Sequence, residues 1–508
     1  MAQLSSDHKQ NVEQEEKQEA EQKPLINLFS LQKLFADSAD VNFYTFSFGE
    51  NQDKHKITFI TCSGLVDEEA FNKVVYERFI NFFKLKSKAT ITEQDVLNFL
   101  YVPGVKRIYY EHEAIENIFS GRLLVYFHTD NMVFTIDISD RPQRQTEETN
   151  TEVSILGPRD NFIEDLSINI ALIRKRLRTN SLTIKKYTVG RRTKTELAVL
   201  FMKDIANEDQ FRDLEKRINE IDIDGVFSGR QFHELILKKP FTFFPTHHYT
   251  GRPDFATNSL LSGRFLIFID GVAYGVILPV NFGFILKTGE DTESSYIYNS
   301  LERLIRFVGL VVAIYLPGFH IALTSFHQNQ IPIVFLGTII EASKGVPFPA
   351  PIEALITLLL FEVFREAGLR LPIAIGQTLS VVGGLIIGDA AIRAGITSPL
   401  TVVVMATSAV AAYTLVNLSL HGIVAILRFF VLLLSSCFGF FGFFVSIYIV
   451  LMSMAMIQTF GVSYLTVPEA TTLRPILKTF LRLPEQKYLK RPGFLKTKDK
   501  TKQPSRKD

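Results

Sequence analysis

Phe307-Val308-Gly309-Leu310-Val311-Val312-Ala313-Ile314-Tyr315-Leu316-Pro317-Gly318-Phe319-His320-Ile321-Ala322-Leu323-Thr324-Ser325-Phe326 runs for 20 residues without a formal charge. At 1.5 Å per residue, a helix of that length crosses the roughly 30 Å hydrocarbon core of a bilayer. It opens a stretch, 307–464, in which only ten of 158 side chains are charged, whereas the whole 508-residue chain is 21% charged. No water-soluble domain needs so long a charge-poor segment, so residues 301–465 are expected to form a C-terminal α-helical polytopic membrane domain. Pro317-Gly318 in mid-run predicts a kink.

Beyond the apolar stretch, the tail 466–508 is strongly basic: residues 465–508 hold twelve basic and four acidic side chains. Arg303 and Arg306 flank the first apolar run on its other side. By the positive-inside rule both ends are expected on the cytoplasmic face, which requires an even number of crossings, four to six. Met1–Gln22 is rich in Glu and Gln and has no apolar signal-peptide core, so residues 1–39 are read as a disordered linker. Cys62 and Cys437 stand far apart and unpatterned, which predicts neither a disulfide framework nor a zinc site.

Residues 40–300 read as an α/β soluble N-terminal half. His55–Cys62 has strand character, 67–84 that of an amphipathic helix, and 122–127 with 132–138 form a hairpin around Thr129-Asp130-Asn131. Ser120-Gly121-Arg122-Leu123-Leu124-Val125-Tyr126-Phe127 returns as Ser262-Gly263-Arg264-Phe265-Leu266-Ile267-Phe268-Ile269. Asp67-Glu68-Glu69-Ala70-Phe71 has its counterpart in Asn207-Glu208-Asp209-Gln210-Phe211 at almost the same offset. Two ordered anchors argue for two tandem related α/β subdomains, 40–160 and 161–300. Between the anchors, 174–194 carries nine basic residues and no acidic one. Lipid headgroups, an acidic neighbouring domain or a solvated helix face are better readings of that run than nucleic acid. His247-His248 reads as a surface loop pair. No P-loop, dinucleotide fingerprint, zinc-protease motif or nucleophile elbow occurs, so no catalytic residue, metal ligand or cofactor is assigned and an enzyme is not expected.

Within the apolar half, 331–340 is too short to span and leads into Lys344-Gly345-Val346-Pro347-Phe348-Pro349, which predicts a half-helix and a turn. The segments 352–364, 372–393, 399–420 and 425–460 follow, the last either one long helix or two limbs turning at Gly439–Gly442. In the helix 373–393, Ser380, Gly384, Gly388 and Ala391 make a stripe of small residues for close helix packing. Thr378, Val382, Leu385 and Asp389 lie on the opposite side, where they could line and gate a pore or face lipid, with Asp389 and Arg393 able to form an end-of-helix ion pair. Glu353 and Glu362, with Pro347 and Pro349, are candidates for an ion pathway or a coupling element, because an ionisable group at membrane depth seeks a partner, an ion or water. For Glu362, Arg365 and Glu366, a surface-paired helix end is the plain alternative.

The chain resembles the A subunit of spore germinant receptors, the GerA-type proteins of endospore-forming bacteria. The similarity covers most of residues 55–495. It rests on Gly157-Pro158-Arg159-Asp160-Asn161-Phe162, Leu172-Ile173-Arg174-Lys175-Arg176-Leu177-Arg178 and Val189-Gly190-Arg191-Arg192-Thr193-Lys194-Thr195. Further on it rests on Gly345-Val346-Pro347-Phe348-Pro349, Glu353-Ala354-Leu355, Phe361-Glu362, Arg365-Glu366-Ala367-Gly368 and Phe460-Gly461-Val462-Ser463-Tyr464-Leu465. Leu358 stands where the family often has a second acidic residue, and Ser463 where it usually has proline. The resemblance implies a multi-pass protein of the inner spore membrane, acting with a transporter-like, nutrient-binding B subunit and a lipoprotein C subunit. It implies a homo-oligomeric, nutrient-gated channel for monovalent cations, with the helix 373–393 as pore lining. A stage V sporulation AF-like paralogue, supporting dipicolinate release, is the alternative within the same fold, although the segments 345–349 and 361–368 favour the receptor branch. Two readings of other classes remain open from the residues: a secondary transporter with a site near Pro347–Glu353, and a sensor whose soluble repeats bind ligand or partner subunits.

Overall fold

The computed structural model describes residues 26–49, 55–85, 91–100, 102, 104–140, 157–237, 242–370, 388–465, 481–482 and 484–502. Strands β1 (Val41–Phe48), β2 (His55–Cys62), β3 (Lys106–Ile108), β4 (Leu123–Phe127) and β5 (Met132–Ile136) form one antiparallel sheet in the order β1-β2-β4-β5-β3. Strands β6 (Leu182–Val189), β7 (Thr195–Met202), β8 (His248–Thr250), β9 (Phe265–Ile269) and β10 (Gly275–Leu278) form a second with the same winding, β6-β7-β9-β10-β8. Register repeats as well as order: Ile57 pairs with Phe127 in the first sheet, and Leu197 with Ile269 in the second. The central strands β4 and β9 are buried along their whole length, since helices cover both sheet faces. Along β4, Leu123, Val125 and Phe127 join the core around Phe79 and Phe83, while Leu124 and Tyr126 point to the opposite core around Ile118 and Phe119.

The shared Ser-Gly-Arg has a backbone cause. Helices Glu111–Phe119 and Pro253–Leu261 end on Ser120 and Ser262, and the next residues, Gly121 and Gly263, take φ of +88° and +93°. The amide of Arg122 then donates to the Asn117 carbonyl (3.0 Å) and that of Arg264 to the Ser259 carbonyl (3.2 Å), closing the same helix-terminating turn twice. A Cβ on Gly121 would stand 2.5 Å from the Leu65 carbonyl oxygen.

Order begins earlier than the linker reading allowed. Helix α1 (Leu28–Leu34), closed by a capping box between Asn27 and Ser30, buries Leu31 against the first sheet's outer core. Residues 37–39 then bridge to Ile184 of β6, so the segment joins both subdomains. The basic run 174–194 is likewise matched inside the chain. Arg174, on helix α2 (Leu166–Arg176), is fully buried and donates from Nε and Nη2 to both oxygens of Asp40 at 2.9 Å, with its guanidinium 4.0 Å over the Phe119 ring. Arg176 pairs with Asp160, Lys185 with Glu215, Arg191 with Asp222 and Arg192 with Asp224. Arg174 reaches an acidic residue of the neighbouring subdomain, while Arg191 and Arg192 form solvent-exposed pairs within their own.

The apolar half packs directly beneath the second sheet. Helix α3 (Tyr296–Ile321) continues in a π-helical turn to Phe326 and passes through Pro317 without leaving helical geometry. It is followed by α4 (Ile333–Ala342), α5 (Ala350–Arg370), the short α6 (Gly388–Arg393), α7 (Pro399–Ala412) and α8 (Leu418–Ala455). Among the described residues two stretches, Tyr296–Phe326 and Ser419–Ala455, are long and apolar enough to cross a membrane. The segment 399–420 is not a single span: α7 stops at Ala412, and Asn417 caps the next helix.

Helix α8 is two limbs. Gly439 breaks it at φ +59°, ψ −138°, and a Cβ on Gly442 would lie 2.1 Å from the Leu434 carbonyl oxygen, eight residues away, where a straight helix would separate the two by about 12 Å. The first limb runs parallel to α3, with Arg428 beside Ala313, Ser435 beside Gly318 and Gly439 beside Phe326. The second limb returns, with Phe440 against Phe319 and Phe443 against Tyr315, until Tyr464 reaches Phe244 and Phe282 under the second sheet.

The described part of the basic tail also comes back to the α/β half. Lys498 pairs with Glu208, Arg491 Nε donates to the Leu261 carbonyl (2.9 Å), and Arg482 Nη1 donates to the Ser294 carbonyl (2.9 Å). Tail and α/β half therefore share one side of the helical region.

Arg174→Met leaves the buried Asp40 carboxylate uncompensated and should cost about 3–5 kcal/mol, read as a large drop in the melting temperature of the detergent-solubilised chain. Arg191→Met breaks only a solvent-exposed pair and should leave that temperature unchanged.

Candidate functional site

The helical region is organised around a carbonyl that its own helix cannot use. Pro317 has no N–H, so the i−4 partner, the Ala313 carbonyl, is left without its helical donor. Arg428 Nε (2.8 Å) and Ser408 Oγ (2.9 Å) donate to it instead, while Arg428 Nη2 donates to the Ser408 carbonyl (3.2 Å). Arg428 and Ser408 are both buried, so this knot fastens α3, α7 and the first limb of α8 at mid-height. Close approach is possible because α3 is slim on that side: a Cβ on Gly309 would stand 2.1 Å from Thr414 Oγ1, and one on Gly318 would stand 2.6 Å from Val431 Cγ1. Sequence reasoning sought the small-residue stripe on 373–393 and missed this one, although Gly309, Ala313 and Pro317 fall at i, i+4 and i+8.

Glu353 is 3% exposed at the start of α5, beyond the turn that holds Pro347 and Pro349. Its Oε1 accepts from the Ser398 amide (2.6 Å), Ser398 Oγ (2.7 Å) and Thr397 Oγ1 (3.0 Å). Ser398 is also the N-cap of α7, so a carboxylate sits at the positive end of that helix and ties it to α5. Thr357 Oγ1 adds a 3.1 Å bond to Thr397 Oγ1. Glu362 pairs with Arg365, one turn away on α5, and both are partly buried.

Thr378, Ser380, Val382, Gly384 and Leu385 lie outside the described residues. Of the same expected helix, Gly388 and Ala391 line a small gap against Ile356, Leu360 and Phe364 of α5, whereas Asp389 is exposed and pairs with Arg393 at 2.7 Å.

The α/β half is joined to the helices at two points. Asp291 accepts at Oδ2 from Arg303 Nε (2.8 Å) and Nη2 (2.7 Å), and at Oδ1 from Arg306 Nη1 (2.8 Å) and Thr288 Oγ1 (3.0 Å). Burial alone would raise this carboxyl, but the two guanidiniums hold it below the usual carboxylate range. Asn417 caps α8 through Oδ1 on the Ser419 amide (2.9 Å), and its Nδ2 donates to Nδ1 of His248 on β8 (2.9 Å). His247 and His248 are thus buried, not on a surface loop; desolvation pushes His248, and the neighbouring His233, down to about 3. Among the described residues no group of His, Cys, Asp and Glu is arranged to hold a metal ion.

Glu353→Ala strands three buried donors at the α7 N-terminus and should lower stability by about 3 kcal/mol or more. Glu353→Gln, which retains an acceptor oxygen, should keep over half of that loss from appearing in thermal unfolding.

Residues 30–494 match the family described as the Bacillus/Clostridium GerA spore germination protein. Spore germination protein XA of Bacillus anthracis is 44% identical over 391 residues, 77% of this chain and 80% of that protein. Spore germination protein B1 of Bacillus subtilis (strain 168) is 32% identical over 466 residues, 92% and 96% of the two chains. The crystal structure of the N-terminal domain of the A subunit of the Bacillus megaterium spore germinant receptor GerK3 covers 51% of this chain and 99% of its own, at 23% identity and a TM-score of 0.39. With one family spanning nearly the whole polypeptide, and relatives above 30% identity matched over 77% and 92% of it, the chain belongs to the GerA family of spore germination proteins.

Proposed function

We propose that this protein is the A subunit of a nutrient germinant receptor in the inner spore membrane, and that several copies form a cation channel opened when nutrient is sensed. In this reading the apolar helices span the bilayer, and the α/β half and basic tail lie on its cytoplasmic side. A transporter-like B subunit and a lipoprotein C subunit complete the receptor. The observation that carries it is the continuity between sheet and helix. Asp291 grips α3, and His248 holds the cap of α8, so a displacement of the second sheet moves two apolar helices directly.

Conduction is assigned to the segment 373–393, of which α6 is the described part. Gly388 and Ala391 turn toward α5, which leaves Asp389 and Arg393 on the outer face. An exposed ion pair needs water or another copy beside it, since lipid tails solvate neither charge. On the same face the sequence places Thr378, Val382 and Leu385. A transporter site near Pro347–Glu353 is the weaker reading, because the Glu353 carboxylate is taken up in holding the α7 N-terminus.

Reconstituted chain should pass monovalent cations, and Val382→Ala and Thr378→Val should change the leak at least several-fold without altering the melting temperature. If neither substitution, nor a bulky one such as Val382→Phe, alters cation flux, this helix does not conduct.

A further inference from the structure

Just above the first apolar run, cations outnumber anions inside the protein. The four hydrogen bonds that Asp291 accepts from Arg303, Arg306 and Thr288 use up its carboxylate. Arg306 turns its remaining Nη2 toward Glu302, at 3.5 Å. That leaves positive charge with no carboxylate of its own. Arg303 is 6% exposed, and its Nη1 has no hydrogen-bond partner. Arg264 is 3% exposed; its Nε donates to the Pro279 carbonyl (3.1 Å) and its guanidinium stacks 3.9 Å from the Phe284 ring, both neutral partners. Lys287 follows Leu286, whose carbonyl accepts from Arg306 Nη1 at 3.1 Å, and among the described residues no acidic side chain forms an ion pair with Lys287. Set against Asp291 and Glu302, the four cations Arg264, Lys287, Arg303 and Arg306 leave an excess of two charges.

Enclosed charge without a counter-ion is costly, and an orphaned guanidinium N–H adds its own desolvation penalty. We infer that this junction is a phosphate-binding site, in which Arg303 Nη1 and the Lys287 ammonium take the oxygens of a phosphate group and Arg264 supplies further positive charge. A phosphate group fits the surplus of charge and the pair of donors better than a single halide ion would. The group has two possible sources. Arg306 immediately precedes the apolar run, so the phosphate of an anionic lipid headgroup lies at the right depth; Lys287 is only partly buried, so a soluble phosphate compound could also reach it.

The state of Lys287 points the same way. Its ammonium is pushed down to about 7, first by desolvation and then by Arg303 and Arg264, with Lys502 adding to the effect and Asp291 opposing it. The unfolded chain, with an ordinary lysine, binds this proton up to higher pH, so stability without ligand should rise as pH increases above about 7. A bound anion reverses the preference by favouring the charged amine. For a phosphodiester headgroup, whose charge is constant in this range, affinity should therefore fall between pH 6 and pH 8 in the native protein, and fall less in Lys287→Arg; a free phosphate gains a second charge over the same range, so for it the comparison is the native chain against Lys287→Arg at each pH.

The test uses the full chain in nanodiscs. In phosphatidylcholine alone, inorganic phosphate should raise the melting temperature saturably if the source is soluble. If the source is a headgroup, free phosphate should have no effect, and replacing part of the phosphatidylcholine with phosphatidylglycerol should give the rise. In either case Lys287→Gln should weaken the effect about tenfold or more, and Lys287→Arg should restore it. Lys287 carries the test because an Arg303 variant also loses its bond to Asp291. The proposal is overturned if neither phosphate nor phosphatidylglycerol stabilises the native chain, or if Lys287→Gln responds to both as the native chain does.

Discussion

A carbonyl deprived of its helical donor inside an apolar bundle has to be satisfied by another helix, and that requirement organises the C-terminal half. Pro317 frees the Ala313 carbonyl, and Arg428 and Ser408 are the side chains that reach it. Because those donors come from two other helices, one proline fixes the relative height of α3, α7 and α8. The glycines at 309 and 318 are needed for the same reason: the donors reach the carbonyl only if the backbones come close. The turn at Gly439 follows, since the first limb of α8 must run beside α3 to deliver Arg428, and the second must return for Tyr464 to lie under the sheet.

The α/β half solves a comparable problem by duplication. Each sheet is five-stranded with a central strand buried on both faces, and neither is self-contained. The bridge between 37–39 and Ile184, together with the Asp40–Arg174 pair, closes the first unit onto the second. The second unit in turn is closed onto the helices by Asp291 and His248. Force applied anywhere on the α/β half thus has a route of directional, buried, polar contacts to α3 and α8. Apolar contact alone would permit sliding; bidentate pairs with caps permit far less.

Much of this was legible along the chain, where the cause was local. The strand His55–Cys62, the hairpin around Asn131 and the turn at Gly439 follow from alternation, positive-φ residues and glycine. The repeat was legible because the left-handed backbone at Gly121 and Gly263 tolerates little else. What escaped reading was set by distant partners. Nothing near Arg174 announces Asp40, 134 residues earlier, so a basic run looked like a surface. Glu353 belongs to the same class, although Ser398-Pro399 already had the form of a helix start, and an acidic residue held at apolar depth has few better partners than a helix N-terminus. The helix 373–393 was read from spacing alone, and only its last turn lies among the described residues.

These polar contacts divide into two kinds. Arg428 and Glu353 make hydrogen bonds entirely within the helical region, to groups that every conformation of the bundle must satisfy somehow, so they resist rearrangement. Asn417 is different. It serves two masters at once, capping α8 with its oxygen and bonding His248 with its nitrogen. A small rotation of the sheet can end the second bond while leaving the first, because the cap is local and the His248 contact is not. Of the two junctions between the α/β half and the helices this is therefore the easier to break, because two guanidiniums of α3 hold the Asp291 carboxylate whereas a single neutral bond joins Asn417 to His248.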